Sequence, residues 1–345
     1  MAKQSDWKSM ALKGAGVLAG AGVTGVSAWL LYSRFLVDHK RALPNAIRAR
    51  RRDAAVGEAG SISHYEDLTA TGTPLVLLHS VNAAASAYEV RPLFDQYRDR
   101  RPVFAPDLPG FGFSARANRV YSPEFYTDTL ASWIESEVYR GAPVDIVALS
   151  LTAEFAAHIA LLHPNLVRSL VLISPTGFDK DSAAASAQAA ERVRKTLAVP
   201  LWSQAFFDAL VTKPSIRHYL KKAFAGPIDE GLAQYCYETS HQPGARYAPL
   251  YFVAGRLFTP DVLESIYGRL RLPVLVISDE DDYVSFDRLP AFADRHENWC
   301  PVRLPGAKSM PHFERPQDLA EHLNAFWTGL DRQANIVRSE SGTRV

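Results

Sequence analysis

Only two cysteines, Cys236 and Cys300, occur in 345 residues, which excludes a disulfide framework and leaves a reducing compartment acceptable. The ten histidines are scattered and none forms an H-E-x-x-H pair. His158 and His163 stand five apart, off the i, i+4 spacing that puts two rings on one helix face. Metal chemistry is therefore disfavoured. No glycine-rich phosphate loop follows a strand. Gly14-Ala15-Gly16 and Gly20-Ala21-Gly22 have no strand before them, which removes a dinucleotide reading. No metal or organic cofactor is expected.

An excess of either charge is also missing: the formal net charge is +1. That balance hides an asymmetry. The first 52 residues hold ten Lys or Arg and two Asp, which leaves 28 basic and 35 acidic residues, net −7, for the rest. Nucleic-acid binding by the main domain is disfavoured. The apolar fraction of 47% is ample for one large α/β core with additions.

Charge vanishes altogether over the 19 residues from Gly14 to Tyr32. That length suits one membrane span, although five of the 19 are glycine. Basic residues flank it, denser on the C-terminal side (Arg34, Lys40, Arg41, Arg48, Arg50, Arg51, Arg52). The expectation is a membrane anchor and basic linker over 1–53, with the span at 14–32. The positive-inside bias would then hold the large domain on the cytoplasmic side, with membrane lipid as a partner. Two other readings are a cleaved signal peptide ending near Val26-Ser27-Ala28 and a soluble helix covering the core.

The most informative feature present is the junction at Ser150. Pro143 to Leu149 reads as a short buried strand, and Thr152 to Leu162 as a helix with small and apolar residues at helical spacing. A serine on a sharp strand-to-helix turn has its hydroxyl pushed clear of the backbone, beside the N–H groups of the helix start. Such a hydroxyl needs a base and an oxyanion hole to attack a carbonyl. The usual G-x-S-x-G is here Ala148-Leu149-Ser150-Leu151-Thr152. The competing reading is a serine capping a buried helix. Downstream, the strand Leu272 to Ser278 ends in Asp279-Glu280-Asp281-Asp282, where open α/β sheets place functional groups. His312 follows on a loop before the last helix.

These features resemble the α/β-hydrolase superfamily. Leu75-Val76-Leu77-Leu78-His79-Ser80 looks like its oxyanion strand, which usually ends in His-Gly. Pro106-Asp107-Leu108-Pro109-Gly110-Phe111-Gly112-Phe113-Ser114 matches its P-D-L-P-G-F-G-x-S turn. The resemblance runs from about Leu75 to about Trp327. It implies an eight-stranded, mostly parallel sheet with helices on both faces and an inserted helical cap. Core segments are expected at 54–177 and 270–332, the cap at 178–269 and a polar tail at 333–345. By resemblance Ser150 is the nucleophile, and the backbone N–H groups of Val81 and Leu151 are the oxyanion donors. Asp282 takes the acid position, with Asp281, Glu280 and Asp279 as rivals.

In the family's G-x-G-H-x-P-H-x-E-x-P loop, Ser309 falls at the first histidine and His312 at the second. Three readings stay open. His312 serves as the base from a shifted loop, another histidine (His79 or His241) serves, or the triad is broken. The leading expectation is Ser150, Asp282 and His312 cleaving an ester of a small apolar acyl substrate. Aromatic residues crowding the cap segment favour such a ligand. Carbon–carbon or amide cleavage, and a catalytically inactive binding or scaffolding protein, are the alternatives. The sequence leaves the oligomeric state open.

Overall fold

The computed structural model of the chain describes residues 23–180 and 187–342. Its eight strands are β1 (Arg50–Val56), β2 (Gly60–Asp67), β3 (Leu75–Leu78), β4 (Val103–Pro106), β5 (Val144–Leu149), β6 (Val167–Ile173), β7 (Val274–Ser278) and β8 (Trp299–Arg303). They form one sheet in the order β1-β2-β4-β3-β5-β6-β7-β8. Only the β1–β2 and β2–β4 pairings are antiparallel.

The parallel strands are apolar runs because both of their faces are covered. Period-two alternation splits each run between two cores. Val76, Leu78, Ile146, Ala148, Leu170 and Leu172 join one cluster, and Leu75, Leu77, Val147, Leu149, Val171 and Ile173 join the other. Asp145 is the buried exception within β5. Arg168 binds it through Nε at 2.8 Å and Nη2 at 2.6 Å, Ser169 Oγ donates at 2.6 Å, and Arg101 pairs with it as well. A buried carboxylate is tolerated there because its charge is matched.

Helix α1 (Val23–Phe35) precedes the sheet. α2 (Arg91–Tyr97), α3 (Pro123–Trp133) and α4 (Thr152–Leu162) connect strands. Between β6 and β7 the described residues form α5 (Ala187–Leu197), α6 (Ser203–Leu210), α7 (Lys213–Ala223), α8 (Glu230–Ser240), α9 (Tyr247–Val253) and α10 (Val262–Ser265). Several start at legible caps: Thr212 Oγ1 accepts from Ser215 N ahead of α7, and Asp229 Oδ1 accepts from Leu232 N ahead of α8. α11 (Leu289–Ala293), α12 (Pro311–Glu314) and α13 (Pro316–Gly342) complete the chain.

The amino-terminal expectation needs correction. Residues 14–22 of the expected span lie outside the described residues. The described remainder lies in α1 (Val23–Phe35). Among the described residues no helix is long and apolar enough to cross a membrane. α1 is instead tied to α6. Trp29 Nε1 donates to Ala205 O at 2.8 Å, Ser33 Oγ donates to Asp208 Oδ2 at 2.6 Å, and His39 Nε2 lies 3.0 Å from Asp208 Oδ1. The transmembrane anchor, and with it the cytoplasmic placement inferred from flanking charge, is withdrawn.

Two boundaries also move. The basic run at Arg50–Arg52 is not linker but the start of β1, which pairs with β2 and buries Ala54 and Val56. The last helix does not stop near Arg332. It continues to Gly342, because no proline or glycine interrupts residues 332–341.

Candidate active site

β5 delivers the chain into a sharp turn at Ser150, whose φ of +52° lies in the left-handed region that non-glycine residues rarely adopt. Such a backbone costs on the order of 1–3 kcal/mol and persists because its surroundings enforce it. Ser150 N donates to Ile173 O at 2.9 Å, fastening the turn to β6. Thr152, standing where the pattern has glycine, is buried and donates its Oγ1 to Leu149 O at 2.7 Å. The bulkier residue is accommodated because its hydroxyl satisfies the last carbonyl of the strand. Ser150 and Leu151 open onto a cavity of about 390 Å³, and Val81 lines the same cavity.

Val81 is held there by a network below β3. His79 Nδ1 donates to Ser80 O at 2.6 Å, while its Nε2 accepts from Leu108 N at 3.0 Å. Full burial pushes this imidazole down to about 3. His79 is thus a neutral joint between the loop after β3 and the Pro106–Ser114 turn, and it does not line the cavity. Glu89 grips the same loop: its carboxylate accepts from Ser80 N at 2.8 Å and Asn82 Nδ2 at 2.9 Å. Burial raises the Glu89 carboxyl above the usual range, partly offset by these bonds. The turn itself closes on buried Asp107, which accepts from Ala87 N and Phe113 N. Gly112 is obligatory in that turn. Its φ is +50°, and a Cβ there would run into the Asp107 carboxylate.

The acidic run after β7 resolves into separate roles. Asp279 turns toward β8, accepting from Arg303 Nε at 2.7 Å and Gly306 N at 2.9 Å. Asp282 is part exposed and pairs with Lys308 Nζ at 2.8 Å. Asp281 is the buried carboxylate lining the cavity. It accepts from Tyr283 N at 2.7 Å and Ser309 Oγ at 2.7 Å, and burial raises its pKa. Ser309, which the resemblance sets at the loop's first histidine, lines the cavity as well.

The structure therefore brings together Ser150, Leu151 and Val81, and adds Asp281 and Ser309. It does not bring Asp282 or His312 to them. The His312 Nε2 sits 2.7 Å from Glu89 O as its donor, the ring is 1% exposed, and burial pushes it down to about 4. Pro92, Leu93 and Tyr97 lie beside it, away from the lining of the cavity. His312 thus braces the backbone of the residue that grips the Val81 loop. His241 is likewise engaged elsewhere, with Nδ1 2.6 Å from Tyr237 O. No histidine among the described residues lines the cavity.

Sequence reading missed one further group. Glu154 lies in the first turn of α4, four residues after Ser150 in sequence, and lines the cavity. Thr176 Oγ1 and Thr259 N donate to its two oxygens, and burial lifts its pKa to about 7. The signal was there: Glu154 is the one charged residue in the otherwise apolar stretch Ala153 to Ala157. An apolar part of the wall comes from Leu210, Val211, Ile216, Leu220, Phe252 and Phe258, on the helices between β6 and β7 and their flanks. No group of three or more His, Cys, Asp or Glu among the described residues could hold a metal ion.

Known proteins share parts of this chain. It is 30% identical over 121 residues to a 2-hydroxymuconate semialdehyde hydrolase of Pseudomonas sp. (strain CF600), covering 34% of this chain and 42% of that protein. It is 41% identical over 76 residues to an esterase of Mycobacterium tuberculosis, covering 22% of this chain and 25% of that protein. These matches span less than half the length of either relative. A solved membrane phospholipase A superposes with a TM-score of 0.66 at 20% identity, over 92% of this chain and 96% of that one, which is a likeness of fold. The sequence model of the alpha/beta hydrolase family matches residues 75–322, and by that match, with the eight-stranded sheet and the elbow at Ser150, the chain belongs to this family.

Proposed function

We propose that the chain captures a small apolar acyl compound over Ser150, in a hydrolase-type site whose proton-accepting seat is filled by a serine, so that ester turnover is slow. The observation carrying this reading is the Ser309 Oγ–Asp281 bond of 2.7 Å beside a cavity lined by no histidine among the described residues. In acyl transfer a base must take the nucleophile's proton as it attacks, then return it to the leaving group. A hydroxyl that already donates to a carboxylate does not accept a proton near neutrality. General base catalysis supplies roughly 10²–10⁴-fold, and that factor is missing here. Binding and oxyanion donors alone leave roughly 10³–10⁴-fold over water. Carbon–carbon and amide cleavage need the same proton transfer and are slowed alike. The apolar wall supports an acyl chain rather than a sugar or nucleotide.

Hydrolysis of p-nitrophenyl butyrate by the full chain tests the proposal. The expected rate lies within tenfold of the Ser150→Ala variant. A kcat in the ordinary enzyme range of roughly 1–10³ s⁻¹, abolished by Ser150→Ala, contradicts it.

One observation favours a second reading, a working esterase with Glu154 as proton acceptor. Its carboxyl titrates at about 7, matched to neutral operation, on the wall that carries Ser150. That reading requires turnover that rises through pH 7 and disappears in Glu154→Gln.

A further inference from the structure

Charge around the cavity is one-sided. Glu89, Glu154, Asp179, Asp261, Glu264 and Asp281 all line it. Arg288 is its one basic lining residue among those described, and the guanidinium already lies 3.5 Å from Glu264 Oε1. The donors that hold the inner carboxyls are neutral. Glu89 is bound by Ser80 N and Asn82 Nδ2, Glu154 by Thr176 Oγ1 and Thr259 N, and Asp179 by Ser285 N at 2.8 Å. Burial has raised all three carboxyls, which is what happens when negative charge is desolvated without a counter-ion. A metal ion does not supply the missing charge, since the described residues offer no ligand cluster for one.

A ligand carboxylate entering this cavity meets like charge. A ligand cation meets the opposite, and its arrival restores ionisation to the buried acids. The position of Glu154 narrows this further. Ser150 and Glu154 line the same cavity, so a ligand seated over Ser150 shares that chamber with the Glu154 carboxyl. We propose that the natural ligand is an apolar acyl compound bearing a protonated amine, and that the amine docks on Glu154. The proposal rests on reading the cavity as an apolar-ligand site and adds the chemistry of the polar end.

Equilibrium binding of decylamine, decanol and decanoate to the full chain at pH 7.5, each below its micelle concentration, tests it. None of the three holds a scissile ester, so the readout is independent of turnover. Decylamine is expected to bind at least tenfold tighter than decanoate, with decanol between. Glu154→Gln is expected to weaken decylamine at least fivefold and to leave decanol within twofold. Decanoate binding as tightly as decylamine overturns the proposal, and so does an unchanged decylamine-to-decanol ratio in Glu154→Gln. Should that variant fail to fold, the order of the three ligands on the unsubstituted chain decides. Failure of all three to bind overturns the apolar-ligand reading itself, whereas decanol binding without a preference for the amine overturns the amine alone.

Discussion

Two serines face the same cavity and differ in everything that matters to chemistry. Ser150 stands on a strained turn at the end of β5, fastened to β6. Ser309 stands on the loop before α12 and donates a hydrogen bond to Asp281. The elbow departs from its usual pattern at Ala148 and Thr152 yet keeps its shape, because backbone hydrogen bonds and the Thr152 hydroxyl set the geometry. The loop before α12 presents a hydroxyl to Asp281, and no histidine among the described residues lines the cavity. Backbone geometry tolerates substitution where the fold enforces it, while proton transfer depends on the identity of one side chain.

The largest expected effect asks how firmly the elbow strand is held. Asp145→Ala leaves Arg101 and Arg168 facing an unmatched site under β5, and is expected to cost about 3–5 kcal/mol in urea denaturation. A loss below about 1 kcal/mol would mean that the elbow does not depend on this clamp.

Next comes pH. Glu154 titrates at about 7 in the folded chain against 4.5 for a free glutamate, so the native state holds the extra proton between those values. Stability therefore falls as pH rises through this window, by about 3 kcal/mol at full ionisation. Glu154→Gln is expected to flatten that fall when denaturation midpoints are compared at pH 5 and pH 8. His312 works in the opposite sense. Pushed down to about 4 from 6.5, it favours the folded state fully above 6.5, and that contribution is lost as pH falls toward 4.

The smaller effects compare neighbouring acids. Ser309→Ala strips a donor from buried Asp281 and is expected to cost about 1–3 kcal/mol. Asp282→Ala breaks only a part-exposed pair with Lys308 and is expected to change stability by less than about 1 kcal/mol. Equal losses in thermal denaturation would mean that the two carboxylates had been assigned the wrong environments.

How much was legible follows from how local each signal is. Ser150 and the Pro106–Ser114 turn could be read because an apolar run, a serine and a small-residue helix are contiguous, and because Gly112 must clear Asp107. The choice between Asp281 and Asp282 could not be read. It depends on the chain turning Asp279 toward Arg303 after β7, which pairing with β8 decides. The uncharged stretch misled because absence of charge does not separate a membrane span from a helix packed on α6, which is what its described part, from Val23 on, forms. The polar atoms of Trp29 and Ser33, which α1 uses there, are the distinguishing detail. Glu154 was passed over because an acid in a helix's first turn is ordinary, and only the fold turns it into the cavity.

The proposed function turns on a Ser150 hydroxyl in a cavity that no histidine among the described residues lines. Ser309→His places a ring beside Asp281, where the hydroxyl now donates. Its rate on p-nitrophenyl butyrate is expected to exceed that of the unsubstituted chain by roughly 10²-fold or more, and that gain to vanish when Ser150→Ala is added. An unsubstituted chain that already matches the Ser309→His rate would contradict the account.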